Sequence, residues 1–176
     1  MIPKHVQIVM PKHQAKRYRR LYACRDDLEK AKSFADHILK KRLHSGHIRT
    51  KGAYFQAGAF NTALIISYVR AFIDPKDWEK ELLALSPPTP EQLALHKTVK
   101  KMRNELFAHS DTRHFNVTPG RWGNRRTIIV DVTHFELTAA EVGTLNSYIS
   151  RLDTAVNREM NAITDNAPDD GGANRK

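Results

Sequence analysis

The residues best suited to chemistry lie in one short run, Lys100-Lys101-Met102-Arg103-Asn104-Glu105-Leu106-Phe107-Ala108-His109-Ser110-Asp111. Histidine titrates near neutrality, so it can take or give a proton. Arginine stays charged and offers a fork that fits two phosphate oxygens. A neighbouring amide can orient a phosphate or the imidazole. Arg103, Asn104 and His109 therefore carry the side-chain types for proton transfer at a phosphate. The packing alternative is that Arg103 pairs with a carboxylate such as Asp111 while His109 closes the helix.

A helix must position these groups. Leu95, Val99, Met102 and Leu106 step 4-3-4 along one face, and the next step of the stripe is His109. Arg103 lies about 100° around the helix from Met102. It precedes His109 by six positions, about 120° short of two full turns. The two side chains thus do not stack on a straight helix. They converge only if the helix end frays or a second copy of the chain supplies the other half. The outer arc of the same helix holds His96, Lys97, Lys100, Lys101, Arg103 and Asn104. His96, Lys100 and Arg103 share one face at i, i+4 and i+7, where like charges repel unless an anion or a carboxylate lies over them. Phosphate contact by His96 and Lys100 is one expectation, and a solvated basic face is the other.

Arg-Asn, four further residues and then His, within MRNELFAHSD and behind a long apolar helix, resembles the signature of the HEPN superfamily. The likeness extends over roughly residues 15 to 160. It implies a small all-α domain of the kind found in toxin–antitoxin and phage-defence systems. Many such domains are metal-independent RNA endonucleases that act as dimers with facing motifs. It further implies that His109 is general base or acid, Arg103 the stabiliser of the phosphorane charge and Asn104 the orienting group. The substrate's own 2′-hydroxyl would be the nucleophile, with no cofactor and no metal. A separately encoded antitoxin or regulator would be a partner. One branch of the family carries a tyrosine two residues after the histidine that its antitoxin nucleotidylates; this chain has Asp111 there. The alternative from a different class is a non-catalytic module that binds RNA or a protein through the same basic face.

Charge agrees with a polyanionic partner. The 176 residues hold 29 Lys+Arg against 19 Asp+Glu, a net charge of +10, which favours such partners through steering and counterion release. A generally basic soluble protein is the plainer reading. Cys24 is the one cysteine, so no intrachain disulfide is possible. No secretory apolar region follows Met1 and no run approaches membrane-spanning length, so the cytoplasm is the expected location and no membrane partner is expected.

The remaining elements read as a four-helix bundle with an inserted β-hairpin. Residues 1–14 form a basic arm, 15–164 the bundle, and 165–176 a tail without apolar periodicity that is expected to be disordered. The first helix, about Ala15 to Leu43, presents Leu21, Cys24, Leu28, Ala31, Ala35 and Ile38 as a packing seam. The second, about Tyr54 to Ile73, is apolar nearly all round and belongs at the bundle centre or against a second protomer. Its polar exceptions, Asn61 and Arg70, either find partners or sit at the edge in water. A short helix follows with Trp78, Leu82 and Leu85 inward. Thr89-Pro90-Glu91-Gln92 opens the motif helix as a capping box, and Thr138-Ala139-Ala140-Glu141 opens the last helix in the same way. Between them, about residues 114–136, β-branched and aromatic runs flank Arg121-Trp122-Gly123-Asn124-Arg125-Arg126. Arg121, Trp122, Arg125 and Arg126 suit phosphate contact with base stacking, or a plain exposed tip. His44 with His47, and His109 with Asp111 and His114, are poor metal sets because neither has a geometry that gathers enough ligands.

Overall fold

The computed structural model describes residues 10–44, 50–73, 77–107, 115–122, 125–132 and 136–167. Among these, α1 is Lys12–Lys41, α2 Lys51–Arg70, α3 Trp78–Leu85, α4 Pro90–Phe107 and α5 Ala139–Asp165. The chain is a helical bundle in which α1 packs on both α2 and α5, and α4 packs on α2 and α5. Between α4 and α5, β1 (Phe115–Trp122) runs antiparallel to β2 (Arg125–Val132), with Phe115 opposite Val132 and Trp122 opposite Arg125. Residue 114 and residues 133–135 lie outside the described residues, as do 1–9 and 168–176.

The seam residues of α1, Leu21, Cys24, Leu28, Ala31, Ala35 and Ile38, are all buried. They meet Val142, Leu145, Tyr148, Ile149, Leu152 and Val156 of α5 in one core. α1 starts at Lys12 rather than Ala15, so residues 12–14 belong to the helix and not to a free arm. It closes at Arg42, whose left-handed backbone (φ 54) lets Leu43 N–H donate to Ile38 O.

α2 lies three residues earlier in the chain than its apolar content predicts. The Thr50 hydroxyl accepts from Ala53 N–H and fixes the start. Its second half is buried through Leu64, Ile65, Tyr68 and Val69, but near its start Phe55 is 63% exposed. The all-round apolar helix is thus enclosed over only part of its length. Asn61 is fully buried and fully used: its amide donates to Leu43 O and Ala57 O and accepts from Leu137 N–H. One side chain thereby ties α2 to the ends of two neighbouring segments. No helix among the described residues is long and apolar enough to cross a membrane.

Candidate functional site

Trp78 begins the construction of the site. It is buried, and its indole Nε1–H donates to Ala71 O at 2.9 Å, which fastens the start of α3 to the end of α2. Asp77 just before it takes a left-handed backbone (φ 70), a conformation aspartate tolerates better than most residues. Glu79, the residue after Trp78, then reaches α4. Thr89 and Gln92 exchange side-chain and backbone hydrogen bonds at the start of α4, as the capping box predicts.

His96 is 1% exposed and both ring nitrogens are engaged. Nδ1 lies 2.8 Å from the Tyr68 hydroxyl and Nε2 2.9 Å from Glu79 Oε1. Phe72 packs edge-on against the ring. Burial, the largest influence, together with the Lys100 and Lys97 charges, lowers the His96 pKa against the raising effect of the Glu79 carboxylate, so the imidazole is neutral near pH 7. In that state Tyr68 donates to Nδ1, and Nε2–H donates to Glu79. Burial also pushes the Tyr68 phenol up, which keeps it a donor. For Glu79 burial is the largest influence and raises the pKa, yet the hydrogen bonds from His96 and Lys100, with their charges, outweigh it and hold the carboxyl below its ordinary range. Lys100 Nζ donates to both Glu79 oxygens, at 2.7 and 2.6 Å.

The anion over the basic row is therefore Glu79 at its first two positions. His96, read from the sequence as a phosphate contact, is enclosed in this structure by Tyr68, Phe72 and Glu79. Lys100 is half-exposed and shares its charge with the same carboxylate. Neither Glu79 nor Tyr68 stood out in the sequence. They lie 17 and 28 residues from His96, and no local spacing links them.

The third position of the row differs. Arg103 is half-buried, and its Nη1 donates to Oδ1 of exposed Asn104 at 3.2 Å. The structure thus brings a guanidinium and a carboxamide together near the end of α4, where they can address one phosphate from two sides. His109 and Asp111 lie outside the described residues, as does His114, and α4 is described to Phe107. In the hairpin, Arg121 stands opposite Arg126 and Trp122 opposite Arg125, so the expected loop is strand up to residues 122 and 125. Arg70 reaches across to Asp27 instead of toward α4, with Nη2 3.4 Å from Oδ1. Among the described residues no three His, Cys, Asp or Glu side chains gather to hold a metal ion.

No protein-family model, curated protein or solved structure gives a significant match to this chain.

Proposed function

We propose that the chain is a HEPN-type endoribonuclease that cuts RNA through the substrate's 2′-hydroxyl without a metal, as a toxin or phage-defence effector. The observation that carries this reading is the Arg103–Asn104 pair near the end of α4, two turns beyond the clamp on His96 and shortly before His109. Arg103 holds the phosphate and meets the growing phosphorane charge. Asn104 fixes the guanidinium fork. His109 moves the proton. A second copy of the chain supplies the second histidine, so that one acts as base and the other as acid. RNA backbone contacts come from Arg103, Arg121, Arg125 and Arg126, with Trp122 available for stacking.

One observation favours the non-catalytic alternative, a HEPN-like module binding RNA or a protein. Glu79 takes up two of the groups expected to meet phosphate, the neutral His96 and the Lys100 ammonium, which narrows the basic face.

Incubation of purified protein with end-labelled RNA separates the two readings. Cleavage should persist in excess EDTA, leave a 2′,3′-cyclic phosphate or 3′-phosphate with a 5′-hydroxyl, and spare a strand carrying deoxyribose at the cut site. Binding without cleavage by a clean preparation would select the module instead.

A further inference from the structure

A groove of about 530 Å³ opens between the exit of α3, Leu85-Ser86-Pro87, and one face of α5. The α5 wall presents Ser150, Arg151, Thr154 and Arg158, which share a face at helical spacing. No carboxylate among the described residues lines it. Glu159, beside Arg158 in the chain, is bound by Arg17. Two carbonyls of the exit that would repel an anion are already used. Tyr148 Oη donates to Ser86 O at 3.2 Å, and Arg151 Nη2 donates to Pro87 O at 2.6 Å.

Donors remain on both sides. The Arg151 guanidinium lies 5.8 Å from the Tyr148 ring centroid, so it is held in place with further N–H groups to offer. Arg158 is exposed and makes no ion pair or hydrogen bond among the described residues. Ser86 is only 7% exposed, yet no hydrogen bond reaches its hydroxyl among the described residues. That hydroxyl is not sealed in the interior, and the groove is where Ser86 meets solvent.

We infer that this groove holds the backbone of a single RNA strand, one phosphate on Arg151 and a separate one on Arg158, with the Ser86 hydroxyl donating to a phosphate oxygen. Seven residues of helix set the two arginines about 10.5 Å apart along the axis. That spacing suits a track along a strand, not a cradle for one anion. Guanidinium forks match phosphate oxygens, and Leu85, Pro87 and Ala155 give the sugars an apolar floor. No aromatic among the described residues lines the groove, so it contacts backbone and does not stack bases. The groove flanks the start of α4, about 20 Å along the axis from Arg103 near its end. It is therefore a second contact and not part of the cleavage site. The inference rests on RNA being the ligand, as proposed above, but not on the chain cutting it.

The test uses the full-length chain carrying His109→Ala, so that cutting cannot intervene, and a labelled oligouridylate of about 12 nucleotides followed by fluorescence anisotropy. Arg158→Gln should weaken binding by about fivefold or more and reduce the slope of log K against log salt by about 0.7, the share of one single-strand phosphate. Arg151→Gln combined with Arg158→Gln should reduce that slope by about 1.4. If loss of the Pro87 bond unfolds the double variant, Arg158→Gln alone decides. Ser86→Ala should weaken binding by about threefold. Lys40→Gln, exposed in the last turn of α1, should leave the slope unchanged. An unaltered slope in Arg158→Gln, or an equal loss in Lys40→Gln, would overturn the assignment. So would displacement by oligoglutamate as readily as by unlabelled oligouridylate, which would give the groove to an acidic protein segment. A reduced slope in Arg158→Gln from a parent that cuts no RNA would keep the groove and reject only the ribonuclease. Cleavage by the parent with an unaltered slope in Arg158→Gln would do the reverse.

Discussion

Over its first turns α4 buries Leu95, His96 and Val99, and Glu79 clamps His96 and Lys100 from α3. Farther along, Lys101 and Asn104 stand in solvent and Arg103 is half-buried. Both halves carry histidine, lysine or arginine at helical spacing, and the sequence alone gives no reason to separate them. The surroundings do. Where a carboxylate and a phenol enclose the imidazole, burial makes it neutral and fixes it. It can hold a helix but cannot meet a substrate. Where a guanidinium and an amide stand together at the exposed end, they can reach an anion. A basic residue type is thus given its role by whether the fold brings it an acid.

The largest effect should come from the distal half. His109→Ala is expected to slow RNA cleavage by about 10²–10⁴-fold while RNA retention in a gel-shift assay persists, because one imidazole contributes few phosphate contacts. Arg103→Ala should lower both cleavage and retention. If a folded His96→Gln variant lost cleavage as severely with unchanged melting, the buried half would be part of the chemistry and the contrast would collapse.

Two asparagines sharpen the same contrast. Asn61→Ala removes three buried hydrogen bonds and strands Leu137 N–H and Leu43 O. It should cost about 2–4 kcal/mol in urea unfolding. Asn104→Ala, at an exposed position, should cost under about 0.5 kcal/mol and act on cleavage instead.

The clamp itself predicts a pH dependence. The folded-state pKa of His96 lies below its ordinary value of 6.5, and that of Glu79 below its ordinary 4.5. A depressed pKa means that the unfolded chain binds the proton more readily, so the stabilisation is complete above the ordinary value and lost as pH falls. Unfolding midpoints should therefore decline first below about pH 6.5, from His96, and again below about 4.5, from Glu79. Glu79→Gln should remove the second decline and keep the first, at a cost of about 1–2 kcal/mol near pH 7. A parent protein with a flat midpoint between pH 7 and 5 would show that His96 is not enclosed as described.

Much of this arrangement was readable from local pattern, and the rest lay in distance. The seam of α1 and the two capping boxes are encoded within a few residues of themselves, so periodicity and end chemistry found them. The sequence also posed Asn61 as either partnered or at the helix edge in water, and His96, Lys100 and Arg103 as either facing an anion or carboxylate or forming a solvated face. It did not name those partners. Leu137 is 76 residues from Asn61, and Glu79 is 21 from Lys100. Nothing about Glu79 in its own helix distinguishes it from a solvated acid. Only the docking of Trp78 aims it at α4. Asp27 is likewise an ordinary surface type, and Arg70 a polar exception with no named partner, until α1 and α2 are laid side by side.

The smallest predicted effect compares the two helix starts. Thr89 opens α4 with a neutral partner, Gln92, and Thr138 opens α5 with an anionic one, Glu141. Each threonine hydroxyl accepts a backbone N–H that would otherwise lack a partner, so Thr89→Ala and Thr138→Ala should each cost about 1 kcal/mol in urea unfolding. Their acidic or amide partners should not be equivalent. Glu141 adds a negative charge at the positive end of the helix dipole, worth a few tenths of a kcal/mol beyond its hydrogen bond, and salt screens that part alone. Raising ionic strength should therefore shrink the difference between the parent and Glu141→Gln while leaving the cost of Thr89→Ala unchanged. Equal salt sensitivity at both ends would mean that the charge on Glu141 contributes nothing there, and that the two helices are started by hydrogen bonding alone.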